Sequence, residues 1–368
     1  MDPGLQEGLS KREVTAFRRK LMEWYGAYAR ELPWRGISDP YRTWVSEVML
    51  QQTRVAAVLE HYEHFLRLFP SIVALALAGE SDVLAAWSGL GYYRRARMLH
   101  KAAQFVVKEL GGTIPATSVE LRTLPGIGEY TCAAIASIAF GESIAVVDGN
   151  VERVLLRVTG RPEDVTAAGR RFVREQAELL VPNKRLEGNV NAAGDHNQAM
   201  MELGATICMP KGPLCLQCPV YDLCTTKGEH LTGPRGRQTS RPVAFLLATR
   251  KQGTTTEVLL ERRNVEASLM AGMIELPPLP LDSVLGREPI LRVRHSITNT
   301  NYYVSVYAGS DRILEGQVPA RAENLSWVGV SRLGELPLTG LARKILRRVD
   351  LMSVVGLETP ERELERRR

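Results

Sequence analysis

The sequence has no run of about 18 apolar residues, the length a membrane-spanning helix needs, and its opening segment MDPGLQEGLSKREV lacks the apolar centre of a secretory signal. The expectation is a globular chain in a reducing, bacterial-type cytoplasm, with no membrane partner. Cysteine is scarce as well: five in 368 residues exclude a disulfide scaffold. No internal repeat and no low-complexity tract appears, and the length suggests two or three domains. The formal charge of +6 is a mild basic excess that favours a polyanionic partner without requiring one.

Two patterns divide the chain. From about Lys11 to Gly228 apolar residues recur at three- and four-residue spacing, as in AFRRKLMEWYGAYAR and AAVLEHYEHFLRLF, with Pro and Gly breaks between segments. This predicts an all-α region of roughly ten helices over residues 8–231. The segment TGPRGRQTSRP has no apolar face to bury and reads as a linker at 232–241. Short β-branched and aromatic runs then follow, VAFLLATR, TEVLLERR, NYYVSVYAG and LSWVGV, ahead of one helix, TGLARKILRRVDLM. They predict a small α+β domain over 242–355, and the charged stretch 356–368 reads as a frayed tail.

Four of the five cysteines, Cys208, Cys215, Cys218 and Cys224, fall in a C-x6-C-x2-C-x5-C pattern with Pro and Gly between the first two. Four thiolates so close in sequence suit one soft-metal centre. Zinc and a [4Fe–4S] cluster both take four cysteines, but zinc ribbons usually show two C-x2-C knuckles and here there is one, which favours iron–sulfur. Lys211, between the first two cysteines, suits either a phosphate contact or a solvated loop position. Cys132 stands alone on an apolar helix and reads as core.

The stretch LPGIGEYT, Leu124 to Thr131, has two glycines one residue apart but lacks the third glycine of a dinucleotide fingerprint and the Gly-Lys-Ser/Thr of a P-loop. The segment before it is helical, so Gly126 and Gly128 read as a hairpin between helices that aims backbone N–H groups at a phosphate, or as a plain tight turn. Further on, AVVDGNVERVL delivers Asp148 to the start of a helix, beside Gly149 and Asn150, where an N-cap is the simplest role. Upstream, SDPYRTWVSEVMLQQT has a cap-like Asp39, Pro40 at the first helical position, and Glu47 among Trp44, Val45, Val48 and Met49. A carboxyl in that setting resists ionisation and suits a general acid, while a second carboxylate left ionised stabilises positive charge. Glu47 and Asp148 fit that division of labour in glycosidic cleavage.

Together, LPGIGEYT, VDGNV and the cysteine spacing resemble the helix-hairpin-helix DNA glycosylases of the endonuclease III superfamily. LPWR, WVSEVMLQQTRV, GLGYYRRAR and MELGATIC look specifically like the MutY-type adenine glycosylases. The likeness is strong from about Glu31 to Cys224 and weaker over the second domain, which resembles the family's Nudix-like recognition domain. The implied fold is an all-α helix-hairpin-helix catalytic region, the motif at about 118–140 and the iron–sulfur loop at 208–224, followed by an α+β Nudix-like domain.

The implied activity is removal of adenine mispaired with 8-oxoguanine or guanine in double-stranded DNA, by a monomer carrying a [4Fe–4S] cluster. Base flipping is required because the bond is out of reach inside the duplex. By resemblance Glu47 protonates the adenine, Asp148 stabilises the oxocarbenium-like sugar, and Tyr130 and Asn150 orient them. Trp34, Arg35 and Glu202 match the adenine pocket, with Glu202 able to accept the amino proton. Gln52, Thr53, Leu90 and Tyr92 match segments that fill the gap and contact the lesion strand, with core positions the alternative for Leu90 and Tyr93. Bifunctional relatives carry a lysine at the position of Tyr130, and a phenol cannot form their Schiff base, so a monofunctional enzyme is implied.

The second domain departs from its pattern in two places. The stretch MAGMIELPPLPLDSVLGREPILRV passes from strand to strand without a metal-binding glutamate helix, which implies binding without nucleotide hydrolysis. Where the family's sensing hairpin reads Phe-Ser-His, this chain has Ile297, Thr298 and Asn299, keeping a hydroxyl and hydrogen-bonding capacity but no aromatic ring. The competing readings are an endonuclease III-like glycosylase/lyase for oxidised pyrimidines, a non-catalytic iron–sulfur DNA-binding protein, and a nucleotide pyrophosphatase acting through the second domain.

Overall fold

The computed structural model describes residues 8–183, 191–230, 238–264, 266–267, 269–297, 299–309 and 324–352. Among the described residues, eleven α-helices precede the cysteine loop: α1 (Lys11–Tyr28), α2 (Pro40–Leu50), α3 (Val55–Leu68), α4 (Ile72–Leu77), α5 (Glu80–Ala86), α6 (Arg94–Glu109), α7 (Ser118–Leu121), α8 (Glu129–Phe140), α9 (Gly149–Thr159), α10 (Ala167–Leu180) and α11 (Ala192–Thr206). None of the described helices is long and apolar enough to cross a membrane. The chain forms two compact units, residues 1–52 with 101–234, and residues 53–100 with 235–368.

In the first unit, local signals set the helix ends. Ser10 and Glu13 make a reciprocal capping box at α1, Asp39 accepts the Tyr41 and Arg42 amides ahead of Pro40, and Gly141 and Gly160, at φ of 72° and 71°, end α8 and α9 in the left-handed conformation. The core is built from Phe17, Leu21, Leu155, Leu180 and Leu203, joining α1, α9, α10 and α11. Helix α8 is unlike its neighbours: TCAAIASI is buried along its length, with alanine and serine allowing other helices to approach.

The second unit holds α3, α4 and α5 together with a mixed seven-stranded sheet. Its strands are β1 (Thr239–Gln252), β2 (Thr255–Arg262), β3 (Ile274–Glu275), β4 (Pro278–Leu279), β5 (Leu291–Ile297), β6 (Thr300–Gly309) and β7 (Leu325–Gly329). The order is β3-β2-β1-β6-β5, with β4 on β1 and β7 on β2, and among the described strands only the β1–β6 pair is parallel. Strand β1 starts at Thr239, inside the segment that composition marks as linker, because Thr239 to Arg241 pair with Thr300 to Tyr302. Polar, proline-containing sequence hides this part of a strand whose inner section is apolar.

Period-two alternation sorts the sheet's faces. Phe245, Leu247, Val258, Leu260, Val304 and Val306 pack with Leu341, Ile345 and Leu346 of α12 (Gly340–Arg348), while Ala244, Leu246, Leu259 and Tyr307 make a second cluster. Between β3 and β5 the described chain makes β4 and one 3-10 turn, Leu281–Val284, in keeping with the expected lack of a glutamate-rich helix. Ile345 is wholly buried between α12 and the sheet. Ile345→Ala is expected to destabilise the second unit by roughly 2–5 kcal/mol, read as a lower denaturant midpoint with unchanged helix content.

Candidate active site

Helix α2 carries Glu47 inward. The side chain is 4% exposed, and Tyr41, Trp44, Val45, Val48 and Met49 of the same helix are also buried. Burial raises its pKa from the ordinary carboxylate range to about 7; the Tyr130 hydrogen bond opposes that shift and the Asp148 charge adds to it. The phenol of Tyr130, on the first turn of α8, donates to Glu47 Oε2 at 2.6 Å. Burial and the neighbouring carboxylates lift the Tyr130 pKa well above its usual value, so it remains a donor. Gln51 ties the end of α2 to α8 by donating to Thr131 Oγ1 at 3.0 Å.

The hairpin that starts α8 has Gly126 at φ 75°, with Gly128 as N-cap. Both glycines are exposed, and a Cβ at Gly128 would meet nothing within 4 Å. That leaves room for a ligand to approach the backbone.

Asp148 caps α9, as its position before Gly-Asn suggests. Oδ1 accepts from the amides of Asn150 (2.9 Å) and Val151 (2.8 Å), and Oδ2 accepts from Asn150 Nδ2 at 2.8 Å. Asn150 Oδ1 in turn accepts from Arg153 at 2.7 Å, and Arg153 also donates to the carbonyls of Cys208 and Gly204, each at 2.8 Å. A Cβ at Gly204 would lie 2.6 Å from Asn150 Cβ, so glycine is what lets α11 come this close to α9.

Glu202 is 1% exposed on α11. Burial alone would raise its pKa, but Arg30 and Arg35 outweigh burial and hold it at about 2. Arg30 meets it through its amide (3.2 Å), Nε (2.6 Å) and a terminal nitrogen (2.7 Å), and Arg35 adds a fourth bond at 2.7 Å. Four donors occupy the acceptor capacity of one carboxylate. In this conformation Glu202 anchors the two arginines. Trp34 is buried beside Arg35 in the chain, and the Arg35 guanidinium lies 5.4 Å from the centre of the Tyr25 ring.

Arg30 and Arg153 escape a reading of motifs because their partners lie 172 and 51 residues away in sequence. Only the fold pairs them.

Of the expected lesion-strand residues, Gln52 is exposed in the first unit with φ of 54°. In the second unit Thr53 accepts from Arg95 at 2.9 Å, Leu90 is buried, and Tyr92 is 47% exposed with φ of 48°. A left-handed conformation costs a non-glycine residue roughly 1–2 kcal/mol and marks positions that the surroundings over-determine. Ile297, the last residue of β5, pairs with Thr300, the first of β6. Asn299 is exposed, its carbonyl accepting from the Thr239 amide at 2.9 Å; Thr298 lies outside the described residues.

Cys208, Cys215, Cys218 and Cys224 are free thiols that line one cavity with Val154, Arg157 and Leu203. Burial pushes the Cys218 thiol up to about 12, and the other three cysteines add to the effect. Arg157, itself buried, donates to Cys208 Sγ (3.4 Å) and to the carbonyls of Met209 (2.7 Å) and Pro210 (3.0 Å). Cys132 is buried, and Lys211 is exposed.

Residues 45–181 match the model of the HhH-GPD superfamily of base excision DNA repair proteins. The chain is 47% identical over 228 residues to the adenine DNA glycosylase of Homo sapiens, an alignment covering 58% of this chain and 40% of the human one. It is 41% identical over 206 residues to that of Mycobacterium tuberculosis, covering 55% and 65%, and 34% identical over 310 residues to that of Arabidopsis thaliana, covering 76% and 48%. The chain thus spans about half the length of the curated relatives it matches. Among solved structures, a thermostable thymine-DNA glycosylase superposes with a TM-score of 0.53 at 28% identity, over 59% of this chain and 97% of that one. An endonuclease III from a non-covalent DNA complex, 20% identical, shares the fold with a TM-score of 0.50, over 60% and 97%.

Glu47 makes the stability of the first unit depend on pH in a fixed direction. Its folded pKa lies above its unfolded one, so between about pH 4.5 and 7 the folded state holds more protons and stability falls as pH rises. Glu47→Gln is expected to be more stable than the parent by up to roughly 3 kcal/mol at pH 8, with the difference gone below pH 4.5. Denaturant titrations at the two pH values measure this.

Proposed function

We propose that this chain, a member of the HhH-GPD superfamily of base excision DNA repair proteins through residues 45–181, is a monofunctional adenine DNA glycosylase acting on adenine opposite 8-oxoguanine or guanine. The observation that carries the reading is the Glu47 carboxyl, poised at about 7 beside Tyr130 and within the field of Asp148. A carboxyl with that pKa is half protonated near neutrality, where a general acid works best. The adenine DNA glycosylases of human, Mycobacterium and Arabidopsis support the choice of base.

Glu47 gives its proton to the adenine ring as the bond from the sugar C1′ to the base breaks, and the bonding electrons leave with the base. The C1′ cation develops near Asp148, which Asn150 and the start of α9 hold in place. Water then attacks C1′ and returns a proton to Glu47. Tyr130 keeps the carboxyl oriented and has no amine with which to form an imine, so the sugar is left in an uncut strand. Gly126 and Gly128 offer backbone amides to a DNA phosphate, and Tyr92 enters the stack beside the mispair. The turn at Asn299 meets the base opposite. On this reading a monomer works on duplex DNA in a bacterial-type cytoplasm.

The four cysteines fit a [4Fe–4S] cluster. They are free and share one cavity, and burial raises the pKa of the Cys218 and Cys224 thiols, which a soft metal would take as thiolates. A bound cluster would cross-link the loop after α11 and supply a one-electron centre. Arg157 offers an N–H to Cys208 Sγ.

Two experiments test these readings. Single-turnover assays on A:8-oxoguanine and A:G duplexes are expected to yield free adenine, at least about 10²-fold more slowly for Glu47→Gln and Asp148→Asn. Borohydride should trap no covalent adduct, and efficient trapping would favour a glycosylase/lyase instead. Anaerobically purified protein is expected to contain iron and sulfide in equal amounts, and Cys215→Ser to lose both; stoichiometric zinc would refute the cluster.

A further inference from the structure

The segment Ser88 to Tyr93 is held in a conformation it would not adopt alone. Gly89, Gly91 and Tyr92 have φ of 116°, 73° and 48°, three left-handed residues within four positions. Part of the restraint is local: Trp87 Nε1 donates to the Gly91 carbonyl at 3.1 Å, Arg95 reaches the same carbonyl at 3.3 Å, and a His61 ring nitrogen lies 3.2 Å from the Ser88 carbonyl. The rest comes from the far end of the sequence. Ser88 Oγ donates to the Leu338 carbonyl at 2.6 Å, Tyr93 Oη donates to the same carbonyl at 3.1 Å, and Arg343 Nε donates to Ser88 Oγ at 2.6 Å.

The direction of each bond is fixed. A guanidinium only donates, so the Ser88 hydroxyl must accept from Arg343 and spend its one proton on Leu338. Leu338 is rigid: it bridges to Ile274, with Ile274 N bonded to Pro337 O and Thr339 N bonded to Ile274 O, and its side chain lies in the sheet core. Arg343, on the first turn of α12, is 6% exposed and pairs with no carboxylate among the described residues. A guanidinium buried without a counter-ion is a poor way to gain stability. What it does accomplish is to orient one hydroxyl, four residues before an exposed tyrosine.

We infer that Arg343, through Ser88 and the Leu338 carbonyl, is a positioning residue that holds Tyr92 ready to enter the DNA stack, so that the sheet domain sets the conformation of the intercalating loop. The inference rests on the proposed glycosylase reading, in which Tyr92 enters the duplex.

The test uses the full-length protein and a duplex with an A:G mispair flanked by 2-aminopurine, whose emission rises when a neighbouring base is unstacked. Arg343→Met and Ser88→Ala are expected to bind this duplex roughly tenfold more weakly than the parent and to lose most of the emission rise, with unchanged far-ultraviolet circular dichroism. Arg343→Lys, which can still donate to Ser88, should recover much of both. In a Tyr92→Ala background Arg343→Met should add nothing, because the group it positions is gone. Multiplying losses in the double variant, or unchanged emission in both Arg343→Met and the milder Ser88→Ala, would overturn the inference. If Tyr92→Ala alone leaves emission and affinity at parental values, the reading of Tyr92 fails first, and that result is distinct from failure of the positioning network.

Discussion

The hydrogen bond from the Tyr130 phenol to the Glu47 carboxyl joins the two helices on which the proposed chemistry depends, and it exists only because both groups are removed from water. An exposed glutamate would be ionised at neutral pH and would have no proton to give; a buried one without a donor would pay the full desolvation penalty. The protein sits between these limits, with one strong donor and an apolar surround. Much of the first unit serves that compromise. The small residues of α8 permit close packing against α2, the hairpin sets where Tyr130 begins, and Gln51 and Thr131 fix the register between the helices.

Around this pair, arginine does the work that buried polar groups require elsewhere. Arg30 and Arg35 saturate Glu202, Arg153 joins Asn150 to the carbonyls of Gly204 and Cys208, and Arg157 holds three acceptors of the cysteine loop. A planar fork with five donors on three nitrogens bridges acceptors from separate elements over a wider span than the three N–H groups of a single lysine nitrogen. Guanidinium groups thus brace Glu202, Asn150 and the cysteine loop, the surroundings of the two carboxyls rather than the carboxyls themselves.

The sequence makes much of this legible and leaves a definite remainder hidden. Helix starts at Asp39 and Asp148, the hairpin at Gly126 and Gly128, the inward-facing Glu47 and the four clustered cysteines are local patterns that carry their own physical reasons. What is not legible is long-range. Nothing near Arg30 predicts that it meets Glu202, and nothing near Ser88 predicts a bond to Leu338. The beginning of β1 is hidden for another reason: Thr239 to Arg241 look like linker because their strand character comes from pairing with Thr300 to Tyr302 rather than from burial.

Gly204 measures how tightly the remainder is set. It is no reacting group, but it takes the place where any larger residue would push against Asn150 at 2.6 Å. The gap between α9 and α11 is therefore gauged by an atom that is missing. A single methyl group there would move Asn150, and with it the Asp148 carboxylate, without altering any residue of the proposed chemistry. Variation at such a position would look conservative in sequence and behave like the loss of a reacting group, because the spacing of the two helices and the aim of the carboxylate are one dimension of the molecule.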